Sequence, residues 1–113
     1  MSPPLSAPER LVQMSADVRA AVLVDAAGGL LASSDPDRER SRRLAELAHG
    51  IVEAADATAS EPTEQIEAQV ADGMVFVMRD SRVALACVAR RLALPALVLY
   101  DLRETLRAEG AAA

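Results

Sequence analysis

The chain of 113 residues contains no lysine, no tryptophan and a single cysteine. The absence of lysine excludes a lysine-dependent phosphate loop, Schiff-base chemistry and a lysine general base. Cys87 cannot form a disulfide within the chain, as expected for a protein of the reducing cytoplasm. Phe76 and Tyr100 are the only large aromatic residues, so few ring faces could stack against a base, a flavin or a haem.

Charge and hydropathy exclude further classes of partner. The formal net charge of −5 disfavours nucleic acids and anionic membrane surfaces, because both are bound through a surplus of basic side chains. No apolar run is long enough to span a bilayer, and the N-terminal residues lack the basic start and apolar run of a secretory signal. We therefore expect a cytoplasmic protein that neither binds nucleic acid nor inserts into a membrane.

The composition predicts one packed domain. Apolar residues make up 51% of the chain, and 113 residues leave room for a single domain. With so few aromatic residues, the core must be built from aliphatic side chains packed over alanine. We expect residues 1–5 to form a flexible tail, residues 6–109 a single domain, and residues 110–113 a second flexible tail.

Apolar spacing and capping residues predict three helices. Ser6 followed three residues later by Glu9 matches a capping box, which marks the start of the first helix. Pro95 suits the first turn of the last helix, and Gly110 is a typical residue just beyond a helix end. The predicted helices cover residues 7–16, 36–57 and 95–109.

Five segments have the composition of strands. The first two flank a glycine turn and form a hairpin, and the last two are apolar on both faces, so helices must cover both faces of the sheet. The third is different, because apolar residues alternate with glutamine and glutamate from Gln65 to Val70. One of its faces tolerates water, which predicts a position at the sheet edge. The predicted strands cover residues 19–24, 30–34, 64–71, 74–78 and 83–89.

This order of elements resembles the roadblock/dynein light-chain family. The strand Val18–Asp25 with its glycine turn is similar to the opening hairpin of that family, and residues 45–52 are similar to its central helix. Asp72-Gly73 and the two strands that follow resemble its final strands. The resemblance covers about residues 9–108, and its motifs are patterns of hydrophobicity and turns without a catalytic signature.

The resemblance implies an α+β fold of the roadblock/profilin-like order α-β-β-α-β-β-β-α. A five-stranded antiparallel sheet would carry the terminal helices on one face and the central helix on the other. The resemblance also implies a dimer, with itself or with a paralogue, in which the central helices pack together and the alternating strands join two sheets. Bacterial members are associated with small Ras-like GTPases as regulators or scaffolds. A bacterial, non-enzymatic signalling adaptor without a cofactor or metal is therefore expected.

The residues themselves favour such a dimer. An edge strand with unpaired N–H and C=O groups is a template for another strand, and no proline or lysine blocks this one. Gly50 costs about 1 kcal/mol of helix stability relative to alanine. A close helix–helix crossing would explain this glycine, although it could also be incidental in an alanine-rich helix. The predicted dimer interface comprises Leu47, Gly50, Ile51, Ala54, Gln65, Ile66, Glu67, Ala68, Gln69 and Val70.

Arginine supplies every basic residue of the chain. Its planar guanidinium group forms forked hydrogen bonds to acidic surfaces, which makes exposed arginines candidates for docking a partner. The alternative is that these side chains are simply solvated surface charges. The candidate docking residues are Arg38, Arg42, Arg43, Arg79 and Arg82.

No combination of residues predicts an enzyme. His49 and Glu53 are one helical turn apart, but a metal site needs a third and usually a fourth ligand. Ser33 or Ser34 could be combined with His49, but no nucleophile elbow surrounds either serine. The alternative to an adaptor is a small ligand-sensing α+β domain of a bacterial signalling system. The scarcity of aromatic and polar core groups disfavours it.

Overall fold

The computed structural model describes residues 4–61, 63–71 and 73–112. The elements within these residues are α1 (Ala7–Met14), β1 (Val18–Asp25), β2 (Leu30–Ser33), α2 (Arg38–Thr58), β3 (Gln65–Val70), β4 (Gly73–Arg79), β5 (Val83–Ala89) and α3 (Pro95–Ala112). The predicted order of helices and strands is confirmed. Asp72, the first residue of a predicted turn, lies outside the described residues.

In the described part of the chain, the five strands form one antiparallel sheet in the order β2-β1-β5-β4-β3. Successive side chains of a strand point to opposite faces, so the sheet has a core on each side. Leu11 of α1 and Leu102 of α3 pack with Phe76 on one face. Ala48 of α2 packs with Val75 on the other face. The prediction of terminal helices on one face and a central helix on the other is confirmed.

The first helix begins as predicted and ends earlier. The Glu9 backbone N–H donates to Ser6 Oγ at 3.5 Å, and the Ser6 N–H donates to Glu9 Oε1 at 2.9 Å, which is a complete capping box. The helix ends at Met14 instead of residue 16, because Ser15 has an extended backbone conformation. The following residues are thereby free to enter β1.

The other two helices also differ from the prediction at their ends: α2 covers residues 38–58 instead of 36–57, and α3 extends beyond residue 109. The helix α2 starts two residues later than predicted, because Asp37 is its N-cap and accepts a hydrogen bond from the Arg40 N–H at 3.0 Å. The helix α3 continues to Ala112, so Gly110 does not end it and residues 110–112 of the predicted tail are helical. A single glycine costs a helix only about 1 kcal/mol, which the rest of α3 can absorb.

The strand β3 lies at one edge of the sheet, as its alternating pattern predicts. Ile66 and Val70 point toward α2 and pack against its core cluster. The polar residues Gln65, Glu67 and Gln69 are exposed on the opposite face. The edge of β3 is thus next to the central helix, with Ile66 and Val70 on the α2 side of the sheet and the polar residues of β3 on the other side.

Candidate functional site

The outer face of α2 presents a shallow stripe of apolar and small residues. Leu47 is 43% exposed, and Gly50 and Ala54 are also exposed. A Cβ atom built on Gly50 would meet no atom of the described residues within 4 Å. Packing within the chain therefore does not require the glycine at this position. Its effect is to leave a flat stripe that another helix could approach closely.

The strand β3 directs a row of backbone groups away from its own sheet. The Arg79 N–H donates to the Glu64 carbonyl at 2.9 Å, so these two directly opposed residues form a hydrogen-bonded pair. Hydrogen-bonded and non-hydrogen-bonded pairs alternate along an antiparallel ladder. The N–H and C=O groups of Gln65, Glu67 and Gln69 consequently point outward, available to a further strand.

The stripe on α2 and the edge of β3 belong to neighbouring elements and are here together called the edge surface. Ile51 of α2 and both Ile66 and Val70 of β3 pack against the same core cluster. The structure therefore brings Ile51, Ile66 and Val70 together, whereas the side chains of Gln65, Glu67 and Gln69 lie on the opposite face of the sheet. The edge surface comprises Leu47, Gly50, Ile51, Ala54, Gln65, Ile66, Glu67, Ala68, Gln69 and Val70.

The arginines at the start of α2 differ in their contacts. Arg40 donates to both carboxylate oxygens of Asp35, at 2.8 and 3.1 Å, and this hydrogen bonding holds the pKa of Asp35 below its ordinary value. Arg38 and Arg42 are exposed, and neither forms an ion pair with any of the described residues. Arg43 is exposed and lies 3.9 Å from a Glu39 oxygen. Three of the predicted docking arginines are thus available to a partner.

The two remaining docking candidates lie at the turn between β4 and β5. Arg82 is exposed. Arg79 donates to the Thr63 carbonyl and forms an ion pair with Asp56, and it is mostly buried. The hydrogen bond from Arg79 lowers the pKa of Asp56. The structure therefore gives Arg79 a structural contact between the end of β4 and the end of α2, which no sequence pattern indicated.

His49 has a second contact besides the predicted one with Glu53. Its Nε2 atom lies 3.0 Å from Glu53 Oε1, and its ring lies over Gly28 in the turn between β1 and β2. A Cβ atom on Gly28 would come within 2.8 Å of His49 Cγ. Ser33, one of the two serines that could be combined with His49, is hydrogen-bonded to Ser41 at 2.6 Å. His49 is consequently a packing residue of the turn as well as part of a surface pair.

The described residues contain no group of three or more His, Cys, Asp or Glu side chains that could hold a metal ion. Burial raises the pKa of the Cys87 thiol to about 12, so the reactive thiolate is scarce at neutral pH. Over the same residues, no helix has the combination of length and apolar composition needed to cross a bilayer.

A cleft of about 570 Å³ lies beside the C-terminal half of α2, and is here called the α2 cleft. It is bordered by the β1–β2 turn, the α2–β3 connection and the β4–β5 turn. Val24, Val52 and Val83 supply apolar lining. No sequence signal indicated this feature, because its walls come from four separate segments of the chain.

The sequence model of the Roadblock/LC7 domain matches residues 9–89. The chain belongs to the Roadblock/LC7 family. No curated protein sequence matches this family member at a significant level. The match to the domain ends with β5, so α3 lies outside it.

Solved structures of bacterial proteins share the fold of this Roadblock/LC7 chain. A Roadblock/LC7 domain from Streptomyces avermitilis is 21% identical, with 90% of each chain covered and a TM-score of 0.82. MglB of Myxococcus xanthus is 17% identical, with 88% of this chain and 85% of that chain covered and a TM-score of 0.66. The gliding protein MglB of Thermus thermophilus is 21% identical, with 93% and 92% covered and a TM-score of 0.67. At these identities the likeness establishes the fold alone.

Proposed function

We propose that this Roadblock/LC7 chain is a non-enzymatic, dimeric adaptor of the bacterial cytoplasm that binds a small Ras-like GTPase. The observation that carries the proposal is the edge surface, on which a flat helical stripe lies beside an unpaired strand edge. Exposed backbone donors and acceptors at a regular edge favour pairing with another strand. The choice of a Ras-like GTPase as the partner rests on the resemblance of the sequence to the family.

The side chains of β3 favour one register for a symmetric dimer. A two-fold axis through Glu67 would place this carboxylate directly opposite the partner subunit's Glu67, and like charges in that position are destabilising. An axis through Ala68 places Glu67 opposite the partner subunit's Gln69 and Ile66 opposite the partner subunit's Val70. This register matches polar with polar and apolar with apolar residues, and we therefore assign the axis to Ala68.

The arginines at the start of α2 are the proposed docking site for the GTPase. Arg38, Arg42 and Arg43 are exposed on the same helix that contributes to the edge surface. In the proposed dimer two such groups would be present, one from each subunit. Their forked guanidinium groups suit an acidic surface of the partner. Arg82, at the β4–β5 turn, is a further candidate because it is also exposed.

The experiment is binding of the purified chain to small GTPases encoded beside its gene, in both nucleotide states. We expect the variant R38E/R42E/R43E to lose at least tenfold in affinity, since three favourable charges become repulsive. The matched control is R103E/R107E, because both arginines are exposed and lie on α3, on the opposite face of the sheet. Failure to bind any of these GTPases in either state would contradict the GTPase part of the proposal.

A ligand-sensing domain is the second candidate function, and the α2 cleft is the observation that favours it. Its volume of about 570 Å³ falls within the range of roughly 300–1,000 Å³ typical of ligand pockets. The test is thermal unfolding of the purified protein against a library of small molecules. A ligand that raises the melting temperature of the wild type, but not of a Val52→Trp variant with a filled cleft, would favour sensing over adaptor function.

A further inference from the structure

Leu92 is 92% exposed, more than any other large apolar residue in the described part of the chain. It lies in the loop between β5 and α3, directly after Arg90 and Arg91. Leu94, in the same loop, is 62% exposed. Arg90 is ion-paired with Asp17 at 3.6 Å, so the loop presents an apolar tip next to the positive charge of Arg91. Apolar side chains exposed in this way commonly mark an interaction site.

The α2 cleft has the complementary chemistry. Its lining includes Val24, Val52 and Val83, and the acidic residues around it are Asp25, Glu61, Glu64 and Asp80. Asp25 and Asp80 accept hydrogen bonds from backbone N–H groups of their own turns, which leaves Glu61 and Glu64 as the acidic rim. Two rim guanidinium groups, of Arg79 and Arg82, oppose them, and Arg79 is already paired with Asp56. Carboxylates are thus in excess around an apolar floor, which suits an apolar side chain flanked by arginine.

The loop and the cleft lie at opposite ends of the same strand. Val83 and Ala84, at the start of β5, border the cleft, and the loop follows Ala89 at its end. A strand of seven residues spans about 20 Å at roughly 3.3 Å per residue. A molecule cannot place its own Leu92 in its own cleft. The complementary pair can meet only between two molecules.

We propose that Leu92 of one molecule binds in the α2 cleft of a second copy of the chain, with Arg91 beside the acidic rim. The contact is head-to-tail, because two different surfaces meet, and such contacts extend into rings or filaments. It is compatible with the two-fold dimer. The cleft is bordered by Ala48, His49 and Val52 of α2, whereas the edge surface uses Leu47, Gly50, Ile51 and Ala54.

A single loop in a cleft buries less surface than a standard protein interface, so the contact belongs to the weak and transient class. It should therefore be visible only at high protein concentration. Its charged part should also weaken when salt is raised, because exposed charges are screened. The proposal does not depend on a GTPase or on the two-fold dimer.

The first experiment is multi-angle light scattering of the full chain at low salt over a range of concentrations from micromolar to millimolar. We expect the average mass of the wild type to keep rising after any dimer has formed. L92D should instead reach a plateau. The control is L97D, which replaces another exposed leucine outside the loop, in α3, and should behave as the wild type does.

If the average mass of the wild type does not rise beyond the plateau expected for L92D, the proposal is overturned and the cleft is left to a different partner. A rise that L92D does not reduce, or that L97D removes equally, would also overturn it. Circular dichroism and the melting temperature establish that each variant is folded. Because both substitutions lie outside the edge surface, the plateau mass of L92D reports the two-fold dimer separately.

The second experiment uses the asymmetry of the contact. L92D retains an intact cleft, and E61R/E64R retains an intact loop while reversing two charges of the rim. Neither variant should associate head-to-tail on its own, but an equimolar mixture should regain association at the same total concentration. A mixture that behaves as the average of its two components would contradict a head-to-tail contact.

Discussion

The two edges of the sheet differ in how much of them is available to another chain. The strand β2 has four residues, and its register with β1 is interrupted between Leu23 and Val24. Ser34, just beyond β2, accepts a hydrogen bond from the Ala21 N–H at 2.9 Å. The strand β3 has six residues and pairs with β4 without a register shift. The edge at β2 is thus short and irregular, whereas the edge at β3 is long and regular.

This difference indicates that the two edges serve different purposes. Short strands and bulges protect a sheet edge from pairing with other chains. The β2 edge has these features, and the β3 edge has a glutamate as its only charged residue. We therefore expect substitutions near β2 to affect folding of the single chain, and substitutions on the outward side of β3 to affect assembly.

Glu67→Pro is the substitution with the largest expected effect. It removes an N–H group that points away from β4, so the intramolecular ladder keeps its hydrogen bonds. Two symmetry-related hydrogen bonds would be lost from the proposed dimer, and at about 1–1.5 kcal/mol each this corresponds to a dissociation constant about a hundredfold higher. Sedimentation equilibrium measures the constant. The control is Glu67→Ala, which keeps the N–H group and should dimerise nearly as well as the wild type.

Gly50→Leu should weaken the dimer about tenfold or more, because a large side chain would separate two helices that cross closely at this residue. The same substitution should stabilise the isolated chain by up to about 1 kcal/mol, because leucine favours helices and the space above Gly50 is open. Light scattering and chemical denaturation measure the two effects. A dimer of unchanged affinity would exclude the helix crossing at Gly50.

Gly28→Ala tests the region of the β2 edge, because Gly28 lies in the turn that leads into β2. Gly28 has a φ of +89°, and an added Cβ atom would lie 2.8 Å from His49 Cγ. Strain of the backbone and the contact with the ring should together lower the free energy of unfolding by about 1–3 kcal/mol. Urea denaturation measures this loss. The dimer dissociation constant, measured under conditions where the variant is folded, should remain that of the wild type.

The smallest expected effect concerns the ion pair between Arg79 and Asp56, which joins the end of β4 to the end of α2. The hydrogen bond from Arg79 lowers the pKa of Asp56 below its ordinary value of 3.8. A carboxyl group with a depressed folded-state pKa stabilises the fold above its unfolded pKa, and this contribution is lost as the pH falls through the folded value. Asp56→Asn should therefore reduce the loss of stability on acidification below about pH 4. Urea denaturation at neutral and acidic pH compares the variant with the wild type.

Local patterns predicted most of the fold because they act over a few residues. The capping box of Ser6 and Glu9 and the alternation from Gln65 to Val70 each specify one element and its exposure. The predicted end of α3 is wrong, because Gly110 does not terminate the helix, which absorbs the cost of the glycine. Propensity at one residue is a weak constraint on a helix that is packed along its length.

Contacts between distant segments could not be predicted from the sequence. The ion pair of Arg79 with Asp56 joins residues 23 positions apart, and the packing of His49 on Gly28 joins two elements through a turn. The α2 cleft likewise requires four segments in their folded positions. Such features depend on how the elements dock, which neither periodicity nor capping residues encode.

Hydrogen exchange at the amides of β3 tests the proposed dimer most directly. We predict that exchange at Gln65, Glu67 and Gln69 slows as the protein concentration rises, because their N–H groups point outward in the single chain. The amides of Ile66 and Ala68 should be protected already in dilute solution, since their N–H groups point toward β4 within the single chain. Fast exchange at the outward amides in a protein that light scattering shows to be dimeric would contradict assembly through β3.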